Sequence, residues 1–82
     1  MNWDDLRIFI AFARGGTLAA AAKVIGIDAT TVSRRLDRIE RDLGTTLFEV
    51  HPTGHVVTER GSQLLCHAET IEASAIDARG EL

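Results

Sequence analysis

The sequence predicts a mainly α-helical domain: three short helices, a small β-hairpin and a long last helix. Three observations carry that reading. Apolar residues recur at helical spacing in residues 3–14, 29–43 and 64–82. Two short β-prone runs flank a Pro-Thr-Gly turn at 52–54. Glycines at 15, 16, 26 and 44 punctuate the helical runs where stops are wanted.

In the first helix, residues 3–14, Trp3, Leu6, Phe9, Ile10 and Ala13 make one apolar face. Ile8, Ala11 and Phe12 fall on the other side. A helix apolar on two sides is usually buried on two sides. One side belongs to the core, and the other needs the C-terminal helix or a second subunit. Thr17 is a good N-cap for a second helix at 18–25, whose alanines permit close helix packing. Gly26 suits the left-handed position that ends it. Asp28 can cap the third helix, 29–43.

The third helix is the most informative stretch. Val32, Leu36, Ile39 and Leu43 form one narrow apolar stripe. Arg34, Arg35, Arg38 and Arg41 project from it, with Thr30 and Thr31 at its start. Arginine reads guanine bidentately and also holds phosphates. The plain alternative is a salt-bridged surface helix, since Asp37–Arg41 and Arg38–Asp42 are both i, i+4 pairs. After it, Leu47, Phe48 and Val50 are expected to face Val56 and Val57 across the turn as a hairpin. A hairpin directly after a helix-turn-helix is a wing. Thr58 then starts a helix running to the end, in which Leu64, Ala68, Ile71, Ala75, Ala78 and Leu82 step as a heptad seam. That seam, with Ile8 and Phe12 of helix 1, is the expected dimerisation surface.

Composition bounds the function. Eighty-two residues with 45% hydrophobic content allow one small globular domain. The N-terminal start lacks a basic, cleavable leader, and no apolar run is long enough for a bilayer. A single cysteine excludes an internal disulfide and fits a reducing cytoplasm. The net charge of −3 is concentrated in residues 59–82; residues 1–58 carry seven basic and seven acidic side chains. Non-specific DNA affinity is therefore expected to be modest. No nucleophile–base pairing with an orienter supports an enzyme, and no cofactor is implied. His51, His55, Cys66 and His67 do not make a convincing zinc set, because the histidines lie on a hairpin and no second cysteine exists.

The order of elements, with LRIFIAFARGGTLAAAAKVIGI, TTVSRRLDRIERDLGTTLFE and VVTERGSQLLCHAE, resembles the DNA-binding domain of LysR-type bacterial transcription regulators over essentially the whole chain. The resemblance implies a winged helix-turn-helix at 1–58 and a linker helix for dimerisation at 59–82. It implies double-stranded promoter DNA as partner and a homodimer through the C-terminal helix, with two half-sites a multiple of one helical turn apart. The third helix would enter the major groove, and Ser33-Arg34 would lie in the contacting segment. The wing would lie at the minor groove, which brings in His51, Thr53 and His55. Thr17 gains a second role, because a helix N-terminus can hold a phosphate. The family's effector-sensing domain is not among these 82 residues, so either a fragment of a longer regulator or a naturally short chain is expected, the fragment being favoured; a small-molecule effector needs that domain. Val50, Thr53 and Val56 stand where the family often has basic wing residues, and Ala29 where a polar base reader is common. Base reading then falls on Thr30, Thr31, Arg34 and Arg35, and Arg38 is read as a phosphate contact. The competing function is a winged-helix module for protein assembly, favoured by the neutral charge and weak wing.

Overall fold

A computed structural model describes residues 2–80, with side chains described for residues 2–74. The elements, in order, are α1 (Trp3–Gly15), α2 (Leu18–Ile25), α3 (Ala29–Leu43), β1 (Phe48–His51), β2 (Gly54–Val57) and α4 (Glu59–Gly80). The chain is thus mainly α with a two-stranded wing, as expected. Each of the first three helices begins on a side-chain cap. Asn2 accepts from the Asp5 amide, Thr17 from Ala20 and Asp28 from Thr31. These caps satisfy amides that the helix itself leaves open. Gly26 adopts φ 83°, so the sharp turn between α2 and α3 is made without the strain a side chain would bring.

The wing strands pair antiparallel in the register Phe48↔Val57, Glu49↔Val56, Val50↔His55 and His51↔Gly54. Directly opposed residues share a face. Phe48, Val50, His55 and Val57 therefore share one face, on which Phe48 and His55 pack against the body and Val50, nearer the turn, stays 80% exposed; Val56 turns outward opposite Glu49. The expected facing of Leu47, Phe48 and Val50 against Val56 and Val57 is corrected in detail by that register: Phe48 opposes Val57, but Val50 opposes His55, Val56 opposes Glu49, and Leu47 precedes the strand. Thr58 joins the wing to α4. Its hydroxyl donates to the Thr46 carbonyl and accepts from the Gly61 amide, and its own amide donates to the Leu47 carbonyl.

Helix α1 is the axis of the core. It packs against α2, α3, α4 and β2. Ile8, Phe9 and Phe12 are buried with Ala21, Ala22, Val32, Leu36, Ile39 and Leu47. Phe48 meets Phe9 and Phe12, with ring centroids 5.3 and 4.6 Å apart. This corrects one assignment made from the sequence. Ile8 and Phe12 do not form an outward dimer face, because α4 and the wing of the same chain close over the second side of α1. Trp3, placed on the core face by periodicity, is 38% exposed because it stands at the first position of the helix.

The predicted heptad seam of α4 divides. Ala68 is fully buried and Leu64 packs against the core, so both serve the chain's own fold rather than a partner. Ile71 remains 48% exposed. Ala75, Ala78 and Leu82 lie outside the residues whose side chains are described. Arg14 of α1 ties the middle of α4 in place, donating to Glu69 at 3.1 Å and Glu72 at 3.0 Å. Those hydrogen bonds, Glu72 first, raise the Arg14 pKa above its ordinary value.

Candidate nucleic-acid interface

The amphipathic pattern of α3 fixes what it shows. Val32, Leu36 and Ile39 are buried, so Thr30 and Arg34 lie on the opposite, exposed side. Arg34 makes no hydrogen bond or ion pair among the described residues; its charge is felt only weakly by Asp28. Asp28 sits below its usual carboxylate range, first through hydrogen bonds from Thr31 and last through Arg34. Thr31 is thus engaged in capping and is half-buried, which leaves Thr30 as the open threonine.

Two flanks of α3 are covered differently. On one flank, Ser33, Leu36, Asp37 and Glu40 meet Phe48, Val50 and His55 of the wing across a cleft of about 180 Å³, with Leu18 of α2 at its edge. Ser33 is half-buried there. The Glu40 carboxylate accepts from the Leu47 amide at 2.7 Å, which fixes the entry to the wing.

On the other flank, the arginines go to α1. Arg35 donates to Asp4 at 3.1 Å and Asp5 at 3.0 Å, and Arg38 donates to the same Asp5 oxygen. Asp5 is only 1% exposed. Burial raises its pKa, but the hydrogen bonds from Arg38 and Arg35 outweigh it and hold the carboxyl below its usual range. Asp4 is lowered first by its hydrogen bond from Arg7, with Arg35 adding to it. Arg35, expected to read a base, and Arg38, expected to hold a phosphate, are thus each hydrogen-bonded to carboxylates of α1. The paired acids of the first turn are visible in the sequence, but nothing there says that they lie under residues some thirty positions later.

The wing is held close to the start of α2. The His55 amide donates to the Gly16 carbonyl at 2.8 Å. Gly54 adopts φ 131°, and a Cβ there would stand 2.8 Å from the Gly16 carbonyl oxygen and 3.8 Å from the Thr17 methyl. Thr17, exposed and capping α2, is thus next to the wing. His51 and Thr53 are exposed at the wing tip, with the His51 ring 3.5 Å from the Glu49 carboxylate. His55 is corrected. Its ring lies on Phe12 with centroids 4.8 Å apart, and Nδ1 is buried with no hydrogen-bond partner among the described residues. It lies near the turn but on the wing's inner face, against the body of the domain.

One continuous surface therefore contains the start of α2 at Thr17, the outer side of α3 at Thr30 and Arg34, Ser33 at its edge, and the wing tip at His51 and Thr53. Among the described residues no cluster of three or more His, Cys, Asp or Glu is placed to hold a metal, and no helix is long and apolar enough to cross a membrane.

Known proteins share this arrangement. A family model described as a bacterial regulatory helix-turn-helix protein of the lysR family matches residues 3–62. The Mau operon transcriptional activator of Paracoccus denitrificans is 40% identical over 75 residues, covering 92% of this chain and 26% of that protein. The transcriptional regulator GltR of Bacillus subtilis is 30% identical over 82 residues, 100% of this chain and 28% of its own. The chain spans about a quarter of the length of these relatives. Among solved structures, the DNA complex of the CbnR DNA-binding domain superposes with a TM-score of 0.88 at 32% identity, covering 99% of this chain and 93% of that one. Full-length CbnR, a LysR family transcriptional regulator, gives 0.89 at 32% identity, with 99% of this chain and 28% of that one covered.

Proposed function

The chain belongs to the lysR family of bacterial regulatory helix-turn-helix proteins, and on that premise we propose that it is the DNA-binding domain of a transcription regulator. The N-terminal half of α3 enters the major groove, and Thr30 and Arg34 meet base edges there. Ser33 lies at the groove's edge, and the N-terminus of α2 at Thr17 holds a phosphate. The wing tip, His51 and Thr53, lies along the neighbouring minor groove. The observation that carries this reading is the division of labour on α3. Its inner stripe is buried and its flanks are tied to the wing and α1, yet Thr30 and Arg34 are left open. The likeness to a DNA-bound relative at 32% identity supports the same orientation.

The domain works as a pair of copies within a longer regulator of the relatives' length. Exposed Ile71 on α4 supports that pairing, because it is an apolar side chain on the one helix that extends beyond the core. Sensing of a small-molecule effector is assigned to the remaining length of such a regulator, and its action on the genome to the bacterial cytoplasm. The named relatives are transcription regulators, which points away from an enzyme.

The test is Arg34→Ala. A preferred duplex is first selected from a random pool with the full chain. On that duplex the substitution is expected to cost about 1–3 kcal/mol of binding free energy, and less on random DNA. Equal losses on both would make Arg34 a phosphate contact. Failure of the wild-type chain to enrich any sequence would favour the assembly-module reading.

A further inference from the structure

The outer face of α3 carries less open positive charge than its sequence suggests. Arg34 and Arg38 are one helical turn apart and share the exposed side of the helix, with Arg35 on its flank. All three would be available to DNA on an isolated helix. Of these three, Arg34 alone has no hydrogen bond or ion pair among the described residues. The Asp5 side chain is 2% exposed and receives a hydrogen bond from each of Arg35 and Arg38. A carboxylate so removed from water is strongly destabilising with no cation at all, so Asp5 must keep at least one of the two arginines; with Arg38 in place, Arg35 is the one that can leave, and Asp4 is what helps to hold it. Asp4 is different: its side chain is 46% exposed, and it shares Arg35 at 3.1 Å and Arg7 at 2.9 Å.

We propose that Asp4 and Asp5 are built-in counter-ions that withhold Arg35 and Arg38 from DNA phosphates, so that α3 gains little sequence-independent affinity and discrimination rests on Arg34. The inference builds on the DNA-binding reading above. Sequence-independent affinity grows with each phosphate a protein neutralises, and each such contact steepens the fall of log K with log salt by about 0.9. Two arginines held by carboxylates remove two such contacts. The same pairing fixes the rotation of α3 against α1, because the bridges run from adjacent turns of α3 to one turn of α1. Affinity shared by all sequences is thereby exchanged for orientation of the residue that reads one. Residues 1–58, with equal numbers of acidic and basic side chains, fit a domain built to bind random duplex weakly.

Salt-dependent binding to a random-sequence 30-base-pair duplex tests this, with the full chain and a two-by-two set: wild type, Asp4→Asn, Arg35→Gln and the double variant. Asp4 was chosen because its exposure lets it change without burying an unpaired group. Thermal melts check that all four are folded. Arg35→Gln alone should leave the salt slope at the wild-type value. Asp4→Asn should steepen it by about 0.9, so its gain over wild type is about 3.5-fold larger at 50 mM than at 200 mM salt. In the Arg35→Gln background that gain should vanish, which separates release of Arg35 from general removal of a negative charge. A slope lowered by Arg35→Gln alone would show that Arg35 already holds a phosphate and would overturn the proposal. A gain from Asp4→Asn that survives in the Arg35→Gln background overturns it as well. Absence of binding by all four proteins at low salt would instead remove the DNA-binding reading, and this inference with it.

Discussion

Phe12→Ala is expected to lower folding stability by about 3–5 kcal/mol. A chain of this size has roughly 4–12 kcal/mol in total, so the loss is a large share of its stability and unfolds the variant at room temperature only if the wild type lies at the low end of that range. The ring is only 2% exposed, meets Phe48 edge-on at 4.6 Å and carries the His55 ring at 4.8 Å. Each aromatic pair adds about 0.5–1.5 kcal/mol beyond the area buried. The alanine leaves a cavity where α1 meets the wing. Urea unfolding followed by far-ultraviolet circular dichroism measures the loss. A cost below about 1 kcal/mol would return Phe12 to the outer face that its periodicity suggested.

Gly61→Ala is expected to be the most damaging of the small substitutions. Gly61 is buried in the first turn of α4. A Cβ there would lie 2.2 Å from the Leu47 carbonyl oxygen, 3.1 Å from its carbon and 3.3 Å from the Val57 Cβ. The carbonyl cannot give way cheaply, since it accepts the Thr58 amide at 2.9 Å and sits between the core residue Leu47 and the wing. Either α4 or the root of the wing moves. The cost should reach or exceed the upper end of the about 1–3 kcal/mol typical of overpacking. Helix propensity alone gives the opposite sign, because alanine is better than glycine by about 1 kcal/mol inside a helix. The direction of the shift in melting temperature therefore decides between the close approach and simple propensity.

These two residues mark where the sequence stopped being legible. Local signals were enough for the elements: Thr17 and Asp28 as caps, Gly26 as the turn, and the Val32–Leu36–Ile39 stripe all stand where their chemistry required. The Pro-Thr-Gly turn gave the hairpin, but not its register, because Val56 looks as apolar as Val57 and only the pairing shows that Val56 turns outward opposite Glu49. Helix periodicity showed that α1 is buried on two sides. It could not show that its second side is covered by α4 and the wing of the same chain, since that depends on contacts distant in sequence. The same limit applied to the arginines. Residue type and spacing put Arg34, Arg35 and Arg38 on one helix, and Arg34 is open as expected. The commitment of Arg35 and Arg38 to Asp4 and Asp5 is a matter of tertiary placement. His55 was read as a wing-surface residue because it lies beside a turn. Its pairing with Val50 and its contact with Phe12 turn it inward.

The DNA-contacting face can be mapped directly by following backbone amide resonances of the isotope-labelled chain as a random-sequence duplex is added at low salt. The expected result is a continuous patch of shifted amides at Thr17, Leu18, Thr30, Ser33, Arg34, His51 and Thr53, with Asp4, Asp5 and the middle of α4 near Ile71 little changed. Shifts centred instead on Val24 and Ile71, with those of Thr30 and Arg34 unmoved, would contradict the placement of α3 in the groove.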